Sequence, residues 1–177
     1  MSGDFIWNNV LDQIDERGWA WLAIGPDDGS LSDEEFPAYC YTVGLAAKGL
    51  PDLIIIGLAP QTAFTVGDQL INKALANAAG TQAPPFEMNT DLLEVFKGTR
   101  AMLVDVPHEH AAKRTLFALD YAEAVSKPLQ TVQLLWPDRQ GRFPFEDGVA
   151  PTFAAAQPVL KNMPPPAPGY AESPVLQ

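Results

Sequence analysis

Three short apolar runs, Trp19 to Ile24, Ala38 to Leu45 and Asp52 to Leu58, follow one another with only turn-rich connections between them. The first connection holds Gly25-Pro26-Asp27-Asp28-Gly29-Ser30 and the acidic Asp33-Glu34-Glu35, read as a solvated loop; the second holds Lys48-Gly49-Leu50-Pro51. Parallel neighbours need a helical crossover, so strands joined this way are expected to pair antiparallel. The second run is rich in aromatic and β-branched residues, which favour a pleated surface. The third is apolar on both faces and is expected at the centre of a sheet.

Helical periodicity surrounds these runs. Phe5, Ile6, Val10, Leu11 and Ile14 mark one apolar stripe over Phe5 to Arg17, with Gly18 as its stop. From Pro60 to Gly80, Ala63, Phe64, Gly67, Leu70, Ile71, Ala74 and Leu75 trace a second face. Gly67 inside that helix is unfavourable by up to about 1 kcal/mol relative to Ala, and a close crossing by a strand is one reason a glycine would stand there, which the sequence by itself does not show. Thr81 to Asn89 reads as a proline-containing loop. A short helix is expected over Asp91 to Lys97, a strand over Thr99 to Val106, a helix over Glu109 to Val125 and a strand over Leu129 to Trp136. A turn, Pro137 to Arg142, and an extended piece, Phe143 to Phe145, follow. The order gives an α+β domain with a mostly antiparallel sheet flanked by helices. Residues 1–162 read as one domain, and 163–177, with Pro164-Pro165-Pro166 and Pro168, as a proline-rich tail.

The formal net charge is −11, with only 11 scattered basic residues. Phosphate backbones are held by clustered Lys and Arg, so nucleic acid is an improbable partner. No apolar run approaches the roughly 18 residues of a membrane span, and no basic segment opens a signal peptide. The lone cysteine, Cys40, cannot form an internal disulfide and fits a cytoplasmic setting.

The segment Trp136 to Pro144 is the first candidate site. Arg139 and Arg142 flank a turn beside Asp138, and guanidinium forks suit carboxylates or phosphates. Trp136 and Phe143 could form a flat apolar wall, with Tyr41 and Thr42 completing a ligand site. The competing structural reading has Asp138 capping the turn through its own backbone and the arginines paired with local acids. His108 and His110 could ligate zinc only with a third ligand, and no second cysteine or third histidine exists, so no metal is expected. Cys40 on a strand reads as a small buried hydrophobe. Neither a serine-hydrolase elbow nor a P-loop is present, and whether the chain catalyses anything stays open. The alternating Trp19, Trp21, Tyr39 and Tyr41 line a core or, if exposed, a homodimer face.

Gly18-Trp19-Ala20, Tyr41-Thr42-Val43-Gly44-Leu45, Gly57-Leu58-Ala59-Pro60, Gln157-Pro158-Val159-Leu160 and above all Leu134-Leu135-Trp136-Pro137-Asp138-Arg139-Gln140-Gly141-Arg142-Phe143-Pro144 resemble an uncharacterised bacterial family, domain of unknown function 4262. The resemblance runs over about residues 15 to 160 and brings no activity with it. Phe145 stands where that family often has Trp. The early strand–strand–strand–helix order also resembles flavin-reductase-like split barrels, which implies a homodimer holding flavin mononucleotide (FMN), although the early strands carry no basic cluster for its phosphate. Three functions follow as expectations: a small-molecule-binding or regulatory domain, a flavin-dependent oxidoreductase, or a protein–protein module of phage or host-defence type.

Overall fold

The computed structural model describes residues 3–29, 35–80 and 84–166. Helix α1 (Gly3–Arg17) ends where the Gly18 amide donates to the Ile14 carbonyl at 2.7 Å, with Gly18 at φ 94°. The turn therefore takes the left-handed conformation that glycine tolerates best. Strand β1 (Ala20–Ile24) follows, then a two-residue ribbon of β2 (Asp27–Asp28) with β3 (Glu35–Phe36). Ser30, Asp33 and Glu34 of the expected acidic loop lie outside the described residues, while Glu35 belongs to β3. Strands β4 (Tyr39–Val43) and β5 (Asp52–Ile56) lead into helix α2 (Pro60–Gly80). Strand β6 (Met102–Asp105), helices α3 (His108–Arg114) and α4 (Leu116–Ala124), strand β7 (Thr131–Leu135) and helix α5 (Pro151–Ala156) complete the order.

The main sheet has five strands in the order β1-β4-β5-β7-β6. Three of its four pairings are antiparallel; β5 with β7 is parallel, Asp52 in register with Thr131 and Ile55 with Leu134. The sheet has two open edges and does not close into a barrel, so the split-barrel expectation is not supported. The α+β class with a mostly antiparallel sheet is the architecture observed. Every residue of β4, β5 and β7 is buried, because both sheet faces are covered. On one face Trp21, Cys40, Leu53, Ile55 and Leu134 pack against Ala63, Val66, Leu70 and Ile71 of α2. On the other, Leu22, Tyr39, Tyr41, Ile54 and Ile56 meet Ile6 and Val10 of α1, Ala111 of α3 and Ala118 of α4. Burial on this scale, at about 25 cal/mol per Å² of apolar area, is the main source of stability.

Gly67 is required by packing. A Cβ there would run into the Trp21 ring. The indole N–H groups of Trp19 and Trp21 donate to the same Asp68 oxygen, at 2.9 and 2.8 Å, so the two tryptophans pin β1 to α2. Trp19, Trp21, Tyr39 and Tyr41 are all buried, which removes the exposed aromatic row as a dimer face.

Two expected helices differ. Asp91 to Lys97 is a hairpin-like turn: Leu92 and Ala101 exchange both backbone hydrogen bonds, and Lys97 and Gly98 adopt φ 44° and 89°. The span Glu109 to Val125 is two helices, broken at Thr115. There the threonine hydroxyl donates to the Ala111 carbonyl at 2.7 Å, a local bond that competes with helix continuation, and the Tyr39 hydroxyl takes the Arg114 carbonyl at 2.9 Å. The expected extended piece Phe143 to Phe145 is a turn, with the Glu146 amide donating to the Phe143 carbonyl. Of the loop Thr81 to Asn89, residues 81–83 lie outside the described residues, as do 167–177 of the tail. Met163, at the start of that tail, packs against the second core.

Candidate ligand-binding cleft

The turn after β7 holds itself together. Asp138 Oδ1 accepts the amides of Gln140 and Arg142 at 2.8 and 2.9 Å, and Oδ2 accepts Arg142 Nε at 3.0 Å. Burial pushes this carboxyl up, but the Arg142 amide and guanidinium and the Gln140 amide outweigh it and hold the group below the usual carboxylate range. Arg142 Nη2 also donates to Gln140 Oε1 at 3.0 Å. Its fork is therefore occupied from within, as the capping reading requires. Arg139 is exposed and makes no hydrogen bond or ion pair among the described residues. Behind the turn, Arg100 lies 4.3 Å above the centre of the buried Phe143 ring and donates to Glu146, Asp91 and the Gly141 carbonyl. Sequence reasoning missed Arg100, because most of its partners, Gly141, Phe143 and Glu146, lie more than forty residues along the chain.

Trp136 is also architectural. Its indole N–H donates to the Ile56 carbonyl at 2.9 Å, and its ring meets Phe153 of α5 edge-on. The Gln157 side chain brackets it, accepting the Trp136 amide at 2.9 Å and donating to the Trp136 carbonyl at 2.8 Å. Gln133 on β7 repeats the device, donating to the Pro158 carbonyl and accepting the Leu160 amide. The Gln-Pro-Val-Leu motif is thus a strap tied to the sheet by two amide side chains.

Tyr41 and Thr42 do not join this turn. Both are buried, at 1% and 0% exposure. Thr42 belongs with Asp52 at the start of β5, the end of the sheet where β7 begins with Thr131, whereas Trp136 lies past the end of β7. At about 3.3 Å per residue, the five residues from Thr131 to Trp136 span roughly 16 Å. The proposed six-residue cluster is therefore split between opposite ends of the sheet.

Thr42 has a different partner. Its hydroxyl donates to Asp52 Oδ1 at 2.8 Å and accepts the Leu53 amide at 2.9 Å. Asp52 is 1% exposed, and Oδ1 also accepts the Leu45 amide at 3.3 Å. Burial pushes its carboxyl up to about 7, against the opposing pull of the Thr42 hydroxyl and the Leu45 and Ala46 amides. Its second oxygen, Oδ2, makes no hydrogen bond, and neither does the buried Oγ1 of Thr131. These two residues are register partners on adjacent parallel strands, about 5 Å apart between backbones. Buried polar atoms are nearly always paired, so two orphans at one strand end call for an explanation.

A cleft of about 410 Å³ opens at this end of the sheet. Pro51, Gln130, Thr131, Asp105 and His108 contribute to its wall, and Phe86, Met88 and Val132 supply apolar surface. Its described lining contains no Lys or Arg. His108 is exposed at the first turn of α3, while His110 is buried with Nε2 3.4 Å from the Met163 carbonyl. The helix directs the two rings to different sides, as the spacing implies. Among the described residues, no cluster of three or more His, Cys, Asp or Glu could hold a metal. Cys40 is buried, and burial pushes its thiol up to about 12, which leaves it protonated and unreactive. A second cleft of about 450 Å³ lies between α2 and residues 85–95. Its charged groups include the exposed pair Lys73–Glu94, at 2.9 Å.

These features define a mixed α+β domain, with both sheet faces covered and a cleft of mixed polar and apolar lining at the start of its parallel strand pair. The family model described as domain of unknown function (DUF4262) matches residues 13–150, and the chain belongs to that family. No curated protein and no solved structure matches it. No described helix is long and apolar enough to cross a membrane.

Proposed function

We propose that the chain is a small-molecule-binding domain whose ligand occupies the cleft between Pro51, His108 and Thr131, at the end of the sheet opposite Trp136. The observation that carries this reading is the buried, unpartnered Thr131 Oγ1, whose residue lines the cleft, next to a second orphan oxygen, Asp52 Oδ2, on the neighbouring strand. Ligand sites combine apolar walls with a few fixed polar groups, and the volume falls in the range such sites occupy. A raised carboxyl pKa beside a concavity is a recurring mark of functional sites. The flavin reading is weaker here, because the described cleft wall offers no Lys or Arg for the FMN phosphate.

The test is a fragment screen observed by amide shifts on the isotope-labelled chain. At least one fragment is expected to move the Gln130, Thr131 and His108 amides saturably, and the Thr131→Val chain to bind it more weakly. Saturable shifts confined to residues around Arg139 would instead return the site to the turn after β7.

A further inference from the structure

Resting on that reading, we infer that the cleft selects molecules presenting hydrogen-bond donors, amines and amidines above all, and rejects anions. The polar groups are acceptor-rich. Asp105 contributes a carboxylate to the wall, and the orphan Thr131 Oγ1 is an acceptor as well as a donor.

One nearby positive group is directed elsewhere. Lys48 precedes the cleft residue Gly49, but its side chain lies over Gly18: a Cβ on Gly18 would be 2.9 Å from Lys48 Nζ. His108 is the one wall residue that can carry a positive charge among those described, and it is exposed to solvent at the rim. The chain's net charge of −11 adds a long-range field of the same sign. A cationic donor entering this cleft gains from the Asp105 carboxylate and satisfies the orphan Thr131 Oγ1. A carboxylate or phosphate meets acceptors with no Lys or Arg in the described wall to compensate.

Three probes of nearly the same shape separate these cases: benzamidine, benzamide and benzoate. Each is titrated into the labelled full chain near neutral pH while the Gln130, Thr131 and His108 amides are followed. Benzamidine is expected to bind saturably, benzamide at least about fivefold more weakly, and benzoate not at all, since an unpaired buried polar contact commonly costs that factor or more. Thr131→Val and Asp105→Asn are each expected to weaken benzamidine by a similar factor. Thr131→Val should do so with an unchanged or higher melting temperature, because it removes a hydroxyl that has no partner in the free protein.

Benzoate or benzamide binding as tightly as benzamidine at these residues would overturn the donor preference and leave the small-molecule reading standing. Benzamidine shifts that survive both substitutions would reduce the effect to diffuse attraction to an acidic surface and overturn it too. Failure of all three probes to give saturable shifts at the cleft would count against the cleft itself, and the inference would fall with it.

Discussion

At the scale of single residues, the sequence announced one constraint and concealed another. Gly67 stood out because a glycine inside a helix needs a reason, and the reason is the Trp21 ring seated where a Cβ would go. Gly67→Ala gains helix propensity of up to about 1 kcal/mol but inserts a methyl group into filled space, which typically costs about 1–3 kcal/mol. The net expectation is a loss of roughly 1–2 kcal/mol, read from the urea midpoint at constant m-value. Asp52 was legible only as the head of an apolar strand. The overlooked signal was an acid immediately before five apolar or small residues, a position where a carboxylate is hard to solvate. Its pKa, raised from 3.8 to about 7, means the folded state keeps a proton that the unfolded state releases. Stability from this group is therefore complete below pH about 4 and is lost as pH rises through about 7, by up to roughly 4 kcal/mol. Asp52→Asn should flatten that portion of the stability-against-pH curve between pH 4 and 7. An unchanged slope in the variant would show that other groups govern it.

At the scale of elements, the regular pieces were readable and the turns were misjudged. The α1, α2, β4 and β5 runs declared themselves because periodicity and turn residues agreed. The break at Thr115 and the hairpin over 92–101 were not legible: the first is fixed by Tyr39, far along the chain, and the second by a local pairing of Leu92 with Ala101 and of Asp91 with Arg100 that a short-helix reading overlooked. The turn after β7 shows the same limit in the site. Its two arginines look alike in sequence, yet Arg142 is engaged by Asp138 and Gln140 while Arg139 is exposed. Arg139→Ala is expected within about 0.5 kcal/mol of the parent, as for an ordinary surface position. Gln157→Ala should behave very differently. It strips partners from both the amide and the carbonyl of Trp136, and a fully buried side chain is lost with them. A loss of about 2–4 kcal/mol is expected from chemical denaturation, together with a shift in tryptophan emission as the indole loosens. A Gln157→Ala chain as stable as the parent would show that the strap closes the sheet without these bonds.

At the scale of the whole molecule, topology decides which end of the sheet can receive a ligand. In doubly wound sheets ligands bind beyond the carboxyl ends of parallel strands. Here the carboxyl ends of β5 and β7 are closed: Trp136 caps the Ile56 carbonyl, and at Gly57, φ 80°, a Cβ would come within 2.5 Å of the Ala156 carbonyl of α5. The opening is at the opposite end, where both strands begin. Chain order could not reveal this, because the β5–β7 pairing joins residues about 80 positions apart. Charge then decides what the opening accepts. If FMN were repelled only by the overall field, raising the salt to about 0.5 M, where the screening length falls to a few ångströms, would restore binding. If the site lacks a phosphate partner altogether, salt changes nothing. The described cleft wall, free of Lys and Arg, predicts the second outcome: no saturable quenching of FMN fluorescence at low or high salt. Quenching that appears only in salt would mean that net charge, and not the composition of the cleft, governs what this domain admits.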